Sequence, residues 1–146
     1  MKKAFLASLA IGLMLVSTIP VLAASPPDQP QAAADSQAKA LPIVAVIKAS
    51  WCPACKKISP TVMGLMKDYG DKATWVVFDV STKESAEAAR KQAEKLGLKD
   101  FFAMYGAKTS TVAILDPESK KPLKIFMAEA DRSKYVQALE TALKSI

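Results

Sequence analysis

Two cysteines separated by two residues form the most chemically specific pattern in the chain, within Ser50-Trp51-Cys52-Pro53-Ala54-Cys55-Lys56. The pattern follows an apolar, β-rich run and precedes a segment with helical spacing, so we expect Cys52 at the N-terminus of a helix. Free backbone N–H groups and a partial positive charge stabilise a thiolate at such a terminus. Pro53 fits the first helical turn, and the spacing of three brings Cys55 next to Cys52. The pattern therefore predicts a pair of thiols that form and break a disulfide with little backbone movement.

The two cysteines have different expected roles in disulfide exchange. Cys52 is predicted to be exposed and acidic, and is therefore the candidate catalytic nucleophile. Cys55 is predicted to be more buried and to resolve a mixed disulfide by attacking Cys52. Lys56 adds positive charge beside the pair, but on a solvated helix turn its effect should be small. Because the disulfide itself carries the electrons, no cofactor is expected.

The absence of histidine from the 146 residues restricts the alternatives. It excludes Ser-His-Asp and Cys-His nucleophile systems and histidine metal sites. Two thiolates without a second cysteine pair cannot complete a tetrahedral zinc site, so no metal is predicted, although a two-coordinate Cu(I) site stays open. An inert disulfide is also open, but a ring that closes two intervening residues constrains the unfolded chain little. Redox chemistry is the favoured interpretation of Cys52 and Cys55.

Residues 1–23 have the pattern of a signal peptide. Lys2 and Lys3 precede an apolar run over 4–16, and Ala23 stands where a cleavage site requires a small residue. A retained membrane anchor is the alternative, but Pro20 ends the run short of the roughly 20 residues that a span needs. We therefore expect export to the periplasm or another extracytoplasmic compartment, where cysteines are commonly used for disulfide chemistry.

A single folded domain is expected after a flexible linker over 24–40, which is rich in Pro, Ala, Gln and Ser. Strands are predicted over 43–47, 74–80, 111–115 and 123–127, and helices over 53–69, 81–96 and 131–144, with a short helix or turn over 98–105. The first two strands should be parallel, and the last two should form an antiparallel hairpin. The predicted fold class of residues 41–146 is α/β, a mixed sheet flanked by helices in the order β-α-β-α-β-β-α.

Local patterns also predict helix ends and buried faces. Ser81 and Glu84 have capping-box spacing, and Gly97 is expected to end the helix that they begin. In the last helix, the predicted buried face carries Tyr135, Leu139 and Leu143. At least one ring of the pair Phe101 and Phe102 is expected in the core.

The formal charge of +6 does not indicate a nucleic-acid partner. Lysines are interspersed with acidic residues, as in Lys83-Glu84 and Glu94-Lys95, without a basic block or basic and aromatic residues interleaved. A solvated surface of mixed charge is the favoured interpretation, and we expect a monomer.

The sequence Trp51-Cys52-x-x-Cys55-Lys56, together with the proline at position 60 in the same helix, resembles the WCxxCK signature and kinked active-site helix of the thioredoxin superfamily. The likeness covers about residues 41–146 and looks most like the exported thiol-disulfide oxidoreductases, which include TlpA-like and Dsb-type proteins. It implies that Trp51 packs beside the cysteines and helps to shape the contact surface. It also implies substrates that are cysteine-containing proteins, and a thiol redox partner that is exported or in the membrane. The dipeptide Pro53-Ala54 lacks the histidine of strongly oxidising relatives, which weakly favours a reductant and leaves the direction open.

Two positions depart from that family's pattern. Val46 stands six residues before Cys52, where thioredoxins usually carry a buried Asp that assists proton transfer. Ser110 stands in the place of the family's cis-proline, and because a cis bond before another residue costs roughly 2.5–4 kcal/mol, a trans peptide is expected. The surface that pairs with a substrate chain must then be built from Lys108, Thr109 and Ser110, unless these residues form only a polar loop.

The departures motivate a second functional hypothesis. The domain could hold a partner through the Ser110 loop, with the cysteines as a redox-sensitive latch that does not turn over. A Cu(I)-handling thiol pair is a third hypothesis, and the lack of histidine and of a methionine next to the motif counts against it.

Overall fold

The computed structural model describes residues 40–146. The predicted leader, 1–23, and the predicted linker up to residue 39 lie outside these residues. Within them the elements follow the predicted order: β1 (Ile43–Lys48), α1 (Pro53–Asp68), β2 (Thr74–Asp79), α2 (Lys83–Lys95), α3 (Lys99–Tyr105), β3 (Thr111–Leu115), β4 (Pro122–Met127) and α4 (Arg132–Ser145). None of the helices in this part of the chain has the length and apolar character that crossing a membrane requires.

The four strands form one mixed sheet in the order β2-β1-β3-β4. β1 pairs in parallel with β2, as the crossover helix predicts, and β3 pairs antiparallel with β4, as the hairpin predicts. β1 also pairs antiparallel with β3. β1 lies in the interior of the sheet and its residues Ile43–Ile47 are all buried. A continuous apolar run suits this strand because helices cover both of its faces.

Alternate residues of β1 enter two separate cores, one on each face of the sheet. Val44 and Val46 pack with α1 and α4, whereas Ile43, Ala45 and Ile47 pack with α2 and α3. The first core includes Ile58, Val62, Leu65, Tyr135, Leu139 and Ala142. The second includes Phe78, Ala89, Ala93, Leu98 and Phe101. The α/β fold predicted from the sequence is therefore confirmed.

Two predicted details of the buried faces have different outcomes. Phe101 is buried and Phe102 is half-buried, with its ring 5.2 Å from that of Phe78, so the expectation of at least one buried ring is confirmed. In α4 the third buried residue is Ala142, and Leu143 is only half-buried. Because a helix has 3.6 residues per turn, positions spaced by four drift away from the buried face. The next buried position after Leu139 is therefore three residues on, at Ala142.

The start of α2 differs from the prediction by one residue. Thr82, not Ser81, is the N-cap, because its hydroxyl accepts the N–H of Ser85 at 3.1 Å and the Ser85 hydroxyl accepts the N–H of Thr82 at 2.9 Å. Glu84 therefore takes no part in the capping box. The predicted end is correct: Gly97 has a φ of 71°, which favours glycine.

Strand pairing brings several loops to one end of the sheet. Lys48, the last residue of β1, pairs with Asp79 at the end of β2. The neighbouring Ile47 pairs with Thr111 at the start of β3, which in turn pairs with Met127 at the end of β4. The turn before α1, the residues after β2, the loop before β3 and the loop after β4 therefore meet at this end.

Candidate active site

The cysteine pair lies at the turn between β1 and α1. The N–H of Cys52 donates to the carbonyl of Ala49 at 3.2 Å, which closes the turn, and Pro53 begins the helix. Cys52 is the N-cap, and its Sγ accepts the backbone N–H of Cys55 at 3.1 Å. A cysteine sulfur thus takes the place that a serine or aspartate oxygen usually has at a helix N-terminus.

Both cysteines are free thiols and both are buried. Cys52 is 4% exposed and Cys55 is 8% exposed, so the prediction that Cys52 would be the exposed member of the pair is wrong. The physical reason is the cap itself, which turns Sγ toward the helix and packs it with Ala49 and the half-buried Val80. The neighbouring Trp51, at 61% exposed, is the residue that meets solvent.

The two thiols have opposite pKa shifts. Burial favours the neutral form of Cys52, but hydrogen bonds from the side chains of Cys55 and Thr109 and from backbone N–H groups outweigh it, so the pKa of Cys52 is lowered. Burial is also the largest influence on Cys55, and the interaction with Cys52 acts in the same direction, so the pKa of Cys55 is raised. At a helix N-terminus this arrangement places the thiolate on Cys52 and keeps the proton on Cys55.

The loop before β3 uses its three predicted residues differently. Thr109 acts on the site, because its side chain contributes to lowering the pKa of Cys52. Lys108 instead places its Nζ 5.0 Å from the centre of the Tyr105 ring. Ser110 is buried, its N–H donates to Ile47 O at 2.9 Å, and its carbonyl accepts from Ala128 N–H at 3.0 Å.

Ser110 therefore does not offer its backbone to an incoming strand, contrary to the expected pairing surface. The peptide bond before it is trans, as predicted. Its φ of 64° lies in the left-handed region, and Ala128, its hydrogen-bonded neighbour, has a φ of 53°. Ser110 and Ala128, which pair across this loop, thus both adopt a left-handed backbone conformation. This conformation is energetically unfavourable for a residue that carries a side chain.

Residues after β2 make contacts that the sequence analysis did not assign to the site. The Ser81 hydroxyl accepts the N–H of Ser50 at 2.8 Å, and the Ser81 carbonyl accepts the indole N–H of Trp51 at 3.0 Å. Both the N–H and the hydroxyl of Ser81 donate to Oδ1 of Asp79. The sequence signal was present at Ser81 but was assigned to helix capping, which Thr82 performs.

The carboxylate of Asp79 is fixed on both oxygens. Oδ1 accepts from Ser81, and Oδ2 lies 3.0 Å from Nζ of Lys48. Hydrogen bonds from the Ser81 side chain, then Lys48, then the Ser81 backbone lower the pKa of Asp79 to about 2. The carboxylate therefore stays charged under all but strongly acidic conditions.

An apolar cavity of about 220 Å³ lies behind Cys55. Val46, Ile58, Val62 and Met66 contribute to its wall, and Val46 is 5% exposed. No carboxylate among residues 40–146 lines this cavity. The position that would carry a buried Asp in the family pattern thus faces hydrocarbon, and Cys55 has no acidic group behind it to take up its proton.

A groove of about 620 Å³ opens beside Trp51. Its lining is mainly apolar and joins the turn before α1 to α2 and α3, with Trp51, Val80, Ala86, Phe102, Ala107 and Thr109 on its walls. Because Thr109 also contacts Cys52, the groove begins next to the candidate nucleophile. Arg90 and Lys99 also line the groove, and Arg90 is already paired with Glu94.

The predicted neighbours of the pair take different positions. Ala54 is half-buried and packs against the cysteines, whereas Pro53 and Lys56 are exposed. No group of three or more His, Cys, Asp or Glu side chains that could hold a metal occurs in residues 40–146. The thiols of Cys52 and Cys55 are the soft donors of the site.

Comparison with known proteins agrees with this fold. The family model described as Thioredoxin matches residues 31–96. The thioredoxin-like protein slr1139 of Synechocystis sp. is 32% identical over 54 residues, which are 37% of this chain and 50% of that protein. The chain thus spans about half the length of the curated relative it matches.

Two solved structures share the fold at low sequence identity. The exposed lipoprotein thioredoxin of Streptococcus pneumoniae has a TM-score of 0.51 at 20% identity, covering 70% of this chain and 86% of that chain. A DsbF homologue from Corynebacterium diphtheriae has a TM-score of 0.50 at 19% identity, covering 70% and 73%. The architecture and these neighbours show a thioredoxin-like fold, and the family model described as Thioredoxin matches its first part, up to residue 96.

Proposed function

We propose that the protein is an exported thiol-disulfide oxidoreductase that exchanges disulfides with cysteines of other proteins. The observation that carries this proposal is the pair of opposite pKa shifts, lowered at Cys52 and raised at Cys55, across one turn of helix. A thiol with a lowered pKa has a larger thiolate fraction with which to attack, and a protonated neighbour waits until a mixed disulfide has formed. An inert disulfide would need neither shift.

The exchange balances without a cofactor. In the reducing direction the Cys52 thiolate attacks one sulfur of a partner disulfide, forming a Cys52–partner bond and releasing the other partner sulfur as a thiolate. Cys55 then loses its proton to water and attacks Sγ of Cys52, which releases the second partner sulfur. Two electrons pass to the partner, whose thiolates take up protons from water, and the reverse sequence oxidises a partner.

The groove beside Trp51 supports a polypeptide as the substrate class. A partner sulfur bonded to Cys52 places its flanking residues over Thr109 and the exposed indole of Trp51, where the apolar groove begins. Apolar surface next to a reactive thiol favours unfolded or flexible segments with exposed side chains. A second thiol protein, exported or in the membrane, is needed to restore the pair after each turnover.

Turnover and redox titration test this proposal together. The reduced protein is equilibrated in thiol buffers of graded potential, free thiols are alkylated, and the mass is measured. We expect one reversible two-electron transition, reduction of a protein disulfide by the wild type, no turnover by Cys52→Ser, and trapped partners with Cys55→Ser. If the cysteine pair is reversibly oxidised and reduced in the buffers but does not reduce a protein disulfide catalytically, the proposed enzymatic activity is contradicted.

A binding module with a redox-sensitive latch is the second candidate. The burial of both thiols and the internal pairing of the Ser110 backbone favour it, because both reduce access to the site. This candidate predicts partner binding that differs between oxidised and reduced protein, with no catalytic turnover. Titration of binding with each redox form separates the two candidates.

The proposal of export rests on the leader pattern at residues 1–23. We expect the protein recovered outside the cytoplasm to begin at Ala24 and to migrate as a monomer in size-exclusion chromatography. N-terminal sequencing measures the first point, and recovery of the chain from the membrane fraction with Met1–Ala23 retained would support an anchor instead.

A further inference from the structure

We propose that Ser81, held by Asp79, is a positioning residue that fixes the turn carrying Cys52 to the N-terminus of α1. The inference rests on the proposed function of Cys52 as the reacting thiol. Ser81 itself does not touch either sulfur among the described contacts, so it acts through the residues that precede the nucleophile.

Ser81 binds two successive residues of the turn with two different groups. Its hydroxyl oxygen accepts the backbone N–H of Ser50 at 2.8 Å, and its carbonyl oxygen accepts the indole N–H of Trp51 at 3.0 Å. Both Ser50 and Trp51 are exposed, whereas Ala49 and Cys52 on either side of them are buried and pack with Val80. Hydrogen bonds to Ser81 therefore hold the two exposed residues of the turn to the loop after β2, beside the packing of Val80.

The direction of these hydrogen bonds is set by Asp79. The Ser81 hydroxyl hydrogen points to Oδ1 of Asp79, so the hydroxyl oxygen presents lone pairs to Ser50. The Ser81 N–H donates to the same carboxylate oxygen at 2.8 Å, which fixes the backbone as well as the side chain. The second carboxylate oxygen is held by Nζ of Lys48 at 3.0 Å, and Lys48 belongs to the strand that leads into the turn.

The position of the turn matters because Cys52 caps α1 through its sulfur. The 3.1 Å hydrogen bond from the Cys55 N–H depends on the extended backbone of Cys52, with φ of −83° and ψ of 113°. Movement of the two residues before Cys52 changes these angles and draws the sulfur away from the helix N-terminus. The expected result is a smaller thiolate fraction and a more mobile indole.

Ser81 can be tested separately from helix capping, since Thr82 and Ser85 cap α2. The informative variant is Ser81→Ala, and Ser81→Thr restores the hydroxyl. Ser85→Ala is the matched control, because it also removes a serine hydroxyl that accepts a backbone N–H in the same segment, but one with no contact to the turn before α1. All variants are made in a Trp75→Phe background, so that Trp51 alone supplies the indole signal.

Two readouts do not require turnover: the pH profile of Cys52 alkylation and the emission and anisotropy of Trp51. We expect Ser81→Ala to slow alkylation below the midpoint by about two- to five-fold, the scale of one helix-terminus interaction, and to lower Trp51 anisotropy. Ser81→Thr should restore both, and Ser85→Ala should lower thermal stability while leaving both unchanged. Unchanged alkylation and anisotropy in Ser81→Ala, or equal changes in Ser85→Ala, would overturn the proposal.

A measurement on the wild type keeps the test independent of how the variants fold. Hydrogen exchange at the exposed Ser50 amide should be slower than that of an unprotected amide by about ten-fold or more, because Ser81 accepts it. Unprotected exchange at Ser50 would overturn the proposal. If Ser81→Ala changes alkylation and anisotropy as expected but the wild type has no turnover, the positioning role of Ser81 is supported and the proposed oxidoreductase function is contradicted.

Discussion

At the scale of single residues, the lowered pKa of Cys52 depends on the groups that donate hydrogen bonds to its sulfur. Its sulfur accepts the Cys55 N–H at the helix N-terminus, and the side chain of Thr109 from the loop before β3 also lowers its pKa. These donors overcome burial, which by itself would favour the neutral thiol. Two separate segments of the chain, the start of α1 and the loop before β3, thus lower the pKa of Cys52, the candidate nucleophile.

We expect Thr109→Val to raise the pKa of Cys52, because valine keeps the shape of threonine but loses the donor. A hydrogen bond to a charged group contributes about 1.5–3 kcal/mol, so alkylation below the wild-type midpoint should slow by about ten-fold or more. Thr141→Val is the control, since the Thr141 hydroxyl bonds only to Gln137 O on α4. An unchanged pH profile of alkylation in Thr109→Val would show that Thr109 does not lower the pKa of Cys52.

The cysteine pair and the exposed Trp51 could be predicted at this scale, because their spacing is local. The burial of Cys52 could not, since it follows from a sulfur taking the cap position rather than pointing to solvent. The contacts of Ser81 also could not, because 30 and 31 residues separate it from Trp51 and Ser50 and only parallel strand pairing brings them together.

At the scale of elements, the entry to β3 carries Ser110 where the thioredoxin pattern has a proline. Ser110 adopts a φ of 64° and uses both its N–H and its carbonyl to join β1 and the residue after β4. Proline has a φ near −65° and no N–H, so it cannot replace Ser110 in this conformation. The loop is therefore a different solution, rather than the family's loop with one residue exchanged.

Ser110→Pro is accordingly expected to destabilise the protein by about 3 kcal/mol or more, through the lost Ser110 N–H to Ile47 O bond and the forbidden φ. Ser110→Gly is the matched comparison, because glycine adopts positive φ freely and keeps the N–H. Its free energy of unfolding should stay within about 1 kcal/mol of wild type. Chemical denaturation measures both, and a Ser110→Pro protein as stable as wild type would show that this loop can adopt the family's conformation.

Helix α4 is tied to the loop after β4 by Tyr135. Its hydroxyl donates to Glu129 O at 2.7 Å, and its ring lies 4.4 Å from that of Phe126. Tyr135→Phe keeps the ring and leaves the carbonyl without this donor, so we expect a loss of about 1–2 kcal/mol in the free energy of unfolding at pH 7. Val136→Ala, on the same helix but half-buried, is a comparison for loss of packing alone.

The same substitution changes the alkaline limit of stability. Burial, and then the charge of Glu129, raise the pKa of Tyr135 to about 12. A raised pKa contributes stability that is present below the unfolded value near 10 and is lost as pH rises toward 12. The difference in stability between wild type and Tyr135→Phe should therefore shrink over this range. A constant difference from pH 9 to 12 would contradict the assignment.

At the scale of the whole molecule, the sheet converts four distant segments into one site. The sequence predicts the elements and two pairings, because hydrophobic periodicity, a crossover helix and a short hairpin are local signals. It does not predict that β3 lies beside β1, since this antiparallel contact joins segments more than 60 residues apart. The strand order β2-β1-β3-β4 is therefore the part of the fold that needed the structure.

The acid limit of stability also belongs to this scale, because Asp79 joins the ends of β1 and β2. Its pKa of about 2 lies below its usual value, so its contribution is present above about pH 4 and is lost as pH falls toward 2. Since its side chain is 40% exposed, solvent screening reduces that contribution to about 1 kcal/mol. Asp79→Asn should lose this amount at pH 6 and little at pH 2.

Urea denaturation across pH 2–6 measures the difference. Asp71→Asn, which removes an exposed carboxylate on the turn before β2, is the matched control and should follow the wild-type curve. If the difference in free energy of unfolding between wild type and Asp79→Asn were the same at pH 2 and pH 6, the ionic contribution of Asp79 would be contradicted.

Under the proposed function, the apolar cavity behind Cys55 slows the step in which Cys55 releases a partner bound covalently to Cys52. The second thiol has a raised pKa, and the cavity wall, with Val46 in the place of an acid, holds no carboxylate among residues 40–146. Under the proposed function, deprotonation of Cys55 draws on solvent, so a mixed disulfide at Cys52 should persist longer before the partner is released. Such a delay would suit a partner that folds while its cysteine is held.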